Sequence, residues 1–174
     1  MPDNSPMDLI LWRHADALSP DDNESDAARR LTNRGRKQAG AMAAWLDRRL
    51  PDGAKIITSP AVRAVETAEA LTTKYDRKLV VNAIIGINAT PASLLIAAGW
   101  PDNRYPVVLV GHQPTLGRLA AFLLCGDEQS IAIKKSAIWW LTNRDRAREE
   151  INSADNTFSS SPVILRAAIC ADFC

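Results

Sequence analysis

The feature that most constrains this chain is an ordered alternation of short apolar runs with helical patterns. Residues 8–12 (DLILW), 55–59 (KIITS), 78–86 (KLVVNAIIG) and 106–111 (PVVLVG) each read as a strand, rich in Val, Ile and Leu. Between them lie segments of helical period. Residues 33–50 place Ala39, Met42, Ala43, Leu46 and Leu50 on one face. Three further helices share one opening device, a polar residue before proline: Ser59-Pro60, Thr90-Pro91 and Gln113-Pro114. Proline suits a first helical turn, where its missing N–H is no loss, and Ser or Thr before it can cap. The helix after Pro60 is expected to bury Ala61, Ala64, Val65, Ala68 and Leu71. The helix after Pro114 is expected to bury Leu116, Leu119, Ala120, Leu123 and Leu124.

This alternation predicts an α/β fold, a three-layer sandwich with a mostly parallel central sheet and helices on both faces. Residues 131–143 and 162–170 read as two more strands, paired antiparallel at a sheet edge because no helix clearly separates them. Trp139 and Trp140 then fall on opposite faces of a strand. The segment 16–30 (DALSPDDNESDAARR) is too polar for regular structure, and 143–161 reads as a long polar turn or short helix.

The 174 residues make one domain, 1–174, with 1–6 and 172–174 expected as loose tails. A net charge of +1 gives no global field for nucleic acid or a membrane surface. No apolar run approaches a membrane span, and the opening MPDNSP lacks a signal-peptide core, so the expected location is the cytoplasm. Cys125, Cys170 and Cys174 form neither a disulfide framework nor a metal spacing, and the two histidines stand far apart. No metal site and no cofactor are expected.

In open α/β sheets, ligands bind at the carboxyl ends of the strands. Arg13 and His14 stand at the end of the first strand, Arg63 in the first turn after the second, and His112 at the end of the fourth. Three crossover units thus deliver two arginines and two histidines to one edge. Guanidinium forks clamp phosphate oxygens, and helix N-termini add backbone donors. A histidine kept neutral, here by nearby arginines, is a nucleophile. The constellation reads as a phosphoryl-transfer site. A nucleotide-binding reading of VGHQPTLG fails, since it lacks the P-loop lysine and the three-glycine fingerprint.

LWRHADA, LTNRGRKQA, ITSPAVRAVETAEAL and VVLVGHQPTLGRLA, in this order over about residues 7–143, resemble the successive motifs of the histidine phosphatase superfamily, the phosphoglycerate mutase-like group. The RHADA form and the short length are most similar to its SixA-type phosphohistidine phosphatases. The resemblance implies a phosphoglycerate mutase-like fold, His14 as phosphoryl acceptor, Arg13 and Arg63 on the phosphoryl oxygens, and His112 stabilising the same group. It implies Arg29, just before the Leu-Thr motif, as a further substrate-binding residue. The partner implied is a protein carrying phosphohistidine, such as a histidine phosphotransfer domain. The alternatives are a phosphomonoesterase for a small metabolite and a non-catalytic module that binds phosphohistidine.

The chain departs from the pattern in two places. Ala15 follows the Arg-His pair where many members have glycine. Esterase relatives place a proton-donating acid in the loop after the third strand, yet no Asp or Glu lies between Asp76 and Asp102, and none directly follows His112. Asp16 is the candidate substitute. Residues 29–37 (RRLTNRGRK) hold five positive charges around a helix start, where cations oppose the dipole. They are either a solvated face or are offset by an anion.

Overall fold

The computed structural model describes residues 7–20, 25–143 and 163–173. Among these residues six strands, β1 (Met7–Arg13), β2 (Lys55–Thr58), β3 (Leu79–Val81), β4 (Val107–Gly111), β5 (Ile138–Asn143) and β6 (Val163–Ile169), form one sheet in the order β3-β2-β4-β1-β5-β6. The first four are parallel, with Leu9 opposite Val107 and Arg13 opposite Gly111 in β1 and β4. β5 runs antiparallel to β1, and β6 antiparallel to β5 at the edge. Among the described residues four α-helices accompany the sheet: α1 (Asn33–Asp47), α2 (Val62–Thr72), α3 (Pro91–Ala98) and α4 (Thr115–Cys125).

Strand alternation divides the core into two layers, as a sheet covered on both faces requires. Ile10 and Trp12 of β1 pack with Met42 and Leu46 of α1 and Ala64 and Leu71 of α2. Leu9 and Leu11 pack with Leu94 of α3 and Leu116 and Leu119 of α4. Trp140 joins the first layer and Trp139 borders the second, on opposite faces as the period of two demands. This is the expected three-layer α/β architecture.

Several local expectations are corrected. Residues 78–86 do not form one strand: β3 ends at Val81, and Asn82 caps a short 3-10 turn, Ala83–Ile85, by accepting from the Ile84 N–H. Residues 131–137 are loop and only Ile138–Asn143 is strand. The first helix stops at Asp47 rather than residue 50. Of the three polar–Pro openings, only Thr90-Pro91 starts its helix directly, with a reciprocal Thr90–Ser93 capping box. After Pro60 the helix begins at Val62, and the Ser59 hydroxyl accepts from the Ala61 N–H and meets His112. After Pro114 it begins at Thr115, and the side-chain oxygen of Gln113 accepts from the Gly117 N–H. Val65, Leu123 and Leu124, expected in the core, are only partly buried.

Within 16–30, Asp26–Ala28 form a 3-10 turn, and an Ala17–Leu31 bridge closes the base of the loop. Asp172 and Phe173 are no loose tail, since they lie in a 3-10 turn where Asp172 pairs with Lys134. The polar stretch 144–161, residues 1–6 and Cys174 lie outside the described residues. No described helix is long and apolar enough to cross a membrane.

Candidate active site

Parallel pairing of β1, β4 and β2 brings their carboxyl ends to one edge, and Arg13, His14, Ser59, Arg63 and His112 gather there. The loop carrying His14 is clamped by backbone bonds. The His14 N–H donates to Gly111 O at 3.0 Å, and its carbonyl accepts from the Ser136 N–H at 3.1 Å. Ser136 is fully buried in left-handed backbone (φ 60°), a conformation costing a non-glycine residue about 1–2 kcal/mol and held here by this contact. α1 approaches the same loop closely. A Cβ at Gly35 would stand 1.9 Å from the Asp16 carbonyl oxygen, so any larger residue would push the loop away.

The His14 ring is oriented at both nitrogens. Nδ1 lies 2.8 Å from its neighbour's carbonyl, Ala15 O, which can only accept, so Nδ1 carries the proton. Nε2 then bears the lone pair and accepts from Arg63 Nε at 3.3 Å. Ala15 itself is fixed by donating to Thr67 Oγ1, whose hydroxyl donates to Arg63 O one turn back. The arginine and the histidine are thereby held to each other through α2. The two histidine rings lie 5.3 Å apart, and His112 Nε2 meets Ser59 Oγ at 2.7 Å. His112 Nδ1 and Arg13 Nε are buried without a partner among the described residues, while Arg13 Nη1 donates to Ile133 O. Buried polar atoms are seldom left unmatched, so these two suit a ligand's oxygens.

Electrostatics keep both rings neutral. Burial first, then His112 and after it the positive fields of Arg63 and Arg13, push His14 down to about 3, against an opposing bond to Ala15. Burial, followed by Arg63, pushes His112 to about 4, with Asp26 opposing. The arginines act as anticipated, but burial is the larger cause. Because both folded values lie below the ordinary 6.5, the unfolded chain takes up more protons at acid pH. The two histidines' contribution to stability is therefore full above pH ~6.5 and lost as pH falls towards the folded values. Thermal melts should weaken across that window, and imidazole proton shifts of native protein should stay flat through pH 6.5. An inflection near 6.5 for either ring would contradict the geometry.

Sequence reasoning did not single out Asp26, whose half-exposed carboxylate the structure places against the rim of this cluster. Its carboxylate pairs with Arg63 Nη2 at 2.8 Å and with Arg29 Nη2 at 2.7 Å, and its carbonyl accepts from Arg63 Nη1. Arg29 thus reaches the cluster through Asp26 and also donates to Leu18 O. The i, i+3 spacing of Asp26 and Arg29 was the available signal, hidden in an acidic loop. Asp16, the candidate substitute acid, is engaged elsewhere: Lys135 holds one oxygen at 2.7 Å and Thr32 the other at 2.9 Å. The hydrogen bond from Lys135, chiefly, keeps its carboxyl below the usual range. Two of the five cations at the helix start, Arg30 and Arg36, are offset by Glu66 of α2. A pocket of about 350 Å³ opens beside Ser59, lined by Ala27, Pro60, Ala83, Ile84 and Ile87.

The cluster can bind a doubly charged oxyanion and present a neutral imidazole nitrogen to it. Arg63→Ala should lower turnover by about 10²–10³-fold, the range for removing one preorganised donor. Its melting temperature should show that the fold persists. A fully unfolded variant would instead assign Arg63, only 4% exposed, a structural part alone.

The model of the histidine phosphatase superfamily (branch 1) matches residues 9–84. The chain is 44% identical over 78 residues to the mitochondrial serine/threonine-protein phosphatase Pgam5 of Drosophila ananassae, a match covering 44% of this chain and 26% of that protein. It is 31% identical over 138 residues to an uncharacterized protein of Picosynechococcus, covering 76% and 82% of the two chains. It is 28% identical over 127 residues to the phosphohistidine phosphatase SixA of Escherichia coli, covering 70% and 76%. The fold matches that of the protein histidine phosphatase SixA complexed with tungstate, with a TM-score of 0.71 at 21% identity over 96% of this chain and 99% of that one.

Proposed function

Because the chain belongs to the histidine phosphatase superfamily, we propose that it removes the phosphoryl group from phosphohistidine on a partner protein, through a covalent phosphohistidine at its own His14. The observation that carries this reading is the state of the His14 ring, with Nδ1–H committed to Ala15 O and the Nε2 lone pair beside the Arg63 fork. The likeness to SixA in sequence supports the choice of substrate.

In the first step His14 Nε2 attacks phosphorus as the substrate's P–N bond breaks. The bonding pair passes to the substrate imidazole, which takes its proton from water. Arg13, Arg63 and His112 hold the equatorial oxygens, where the charge of a loose transition state spreads. In the second step water attacks the phosphoryl group on His14, its proton passes to solvent, and the P–N bond returns its pair to Nε2. Phosphate leaves. The guanidinium groups supply the positive charge that a metal supplies elsewhere, so activity should survive exhaustive chelation. Its loss, with recovery on adding magnesium or zinc, would contradict this scheme.

The reading is tested by incubating the protein with a phosphohistidine peptide and with phosphoramidate while measuring free phosphate. Release from both is expected. Tight binding of the peptide without release would make the protein a reader of phosphohistidine and overturn the enzymatic assignment.

A further inference from the structure

The guanidinium edge formed by Arg63 Nε and Nη2 has two occupants. Nε points to the His14 nitrogen and Nη2 to the Asp26 carboxylate. The phosphoryl group, on the reading above, must bind along that edge, since it has to reach His14 Nε2 while meeting the arginine. The second oxygen of Asp26 takes Arg29 Nε and Nη2 together. One side chain of the protein therefore holds two of the cations assigned to the substrate, within the electrostatic reach of His112. Partial burial would raise the Asp26 carboxyl, but the hydrogen bonds from Arg63 and Arg29 outweigh it and keep the group below the usual carboxylate range. It is an anion at neutral pH, with acceptors and no proton to give.

We propose that Asp26 is a resident anion of the phosphoryl site, which neutralises Arg63 and Arg29 when the site is empty and must be exchanged for the phosphoryl group when substrate binds. Two anions cannot share the same donors, so binding is a swap. The buried guanidinium of Arg63 is never left without a counter-charge, which would be costly. The swap has a consequence for specificity. A dianion with three oxygens can replace a carboxylate on two arginines, while a singly charged carboxylate ligand has no advantage over the one already present. It also weakens the hold on inorganic phosphate, so product leaves readily. The backbone of the turn is itself held to Arg63, whose Nη1 donates to the Asp26 carbonyl, and the Ala17–Leu31 bridge fixes the base of the loop, so the exchange falls on the Asp26 carboxylate alone.

The inference rests on the phosphatase reading but is tested separately from it. Inorganic phosphate is titrated calorimetrically into the wild-type protein and into Asp26→Asn, Asp26→Ala and Asp16→Asn. Removing the competitor should tighten phosphate binding at least about tenfold in both Asp26 variants, as expected when a like charge leaves contact range. Asp16→Asn, which removes a carboxylate held by Lys135 instead, should change it far less. Unchanged or weaker binding in the Asp26 variants would overturn the proposal, and weaker binding in Asp26→Ala alone would make Asp26 a strut for Arg63. Equal tightening in Asp16→Asn would overturn it too, by reducing the effect to net charge. Failure to release phosphate from the phosphohistidine peptide would sink the phosphatase reading while leaving this titration to be judged on its own.

Discussion

His14→Ala is expected to abolish turnover, by an amount on the order of 10⁶-fold, the scale seen when a covalent hydrolase loses its nucleophile. Binding and transition-state electrostatics would survive at Arg13, Arg63 and His112, yet the two-step route through a phosphorylated side chain would be gone. The fold should persist. The strand end is fixed by backbone bonds, His14 N–H to Gly111 O and Ser136 N–H to His14 O, which need no imidazole. A melt close to wild type with no measurable phosphate release is therefore the expected pair of results. Near-normal activity in this variant would move the nucleophile elsewhere.

The second large effect is a preference for P–N over P–O bonds. An alkoxide leaving from a sugar or a serine needs a positioned proton donor. An imidazole departs as a neutral ring once protonated, with a conjugate acid of pKa ~6.5, and water can supply that proton. Among the described residues no acid stands in the expected place: after β3 the pocket beside the site is lined by Ala83, Ile84, Ile87 and the amide side chain of Asn88. Asp16 is held by Lys135 and Thr32, and Asp26 is an ion-paired carboxylate. General acid help is worth about 10²–10⁴-fold. By that margin kcat/KM on a phosphohistidine peptide should exceed kcat/KM on a sugar phosphate, with activated aryl phosphates between them. Equal values would put a working acid in the site, with Asp26 the first residue to examine.

The fold was legible where one physical signal dominated. Ala39, Met42, Ala43 and Leu46 recur at helical period, and all four are buried, the last three against the sheet and Ala39 against Ala15, Ala17 and Leu31. The strand-end rule then brought Arg13, His14, Arg63 and His112 to one edge without any knowledge of their partners. Legibility failed where a tertiary contact overrode a local one. Ser59 looks like a helix cap in sequence, but its hydroxyl is shared between the Ala61 N–H and His112, and α2 starts only at Val62. The run KLVVNAIIG looks like a single strand until Asn82 turns its own chain. The spacing of Asp26 and Arg29 hinted at a pair, but the meaning of Asp26 lies in Arg63, thirty-seven residues away. In the sequence it is one acid among several in a polar loop. The same holds for Glu66 of α2, which meets Arg30, ahead of α1, and Arg36 of α1 only once the chain is folded.

Trapping the phosphorylated enzyme tests the central claim most directly. The protein is mixed with phosphoramidate, quenched in alkali because phosphohistidine is lost in acid, digested and mapped by mass spectrometry. The account predicts a phosphoryl group on the peptide containing His14, located on that residue, and none when His14 is alanine. A phosphoryl group on His112, or turnover with no phosphorylated histidine at any point in the time course, would contradict it.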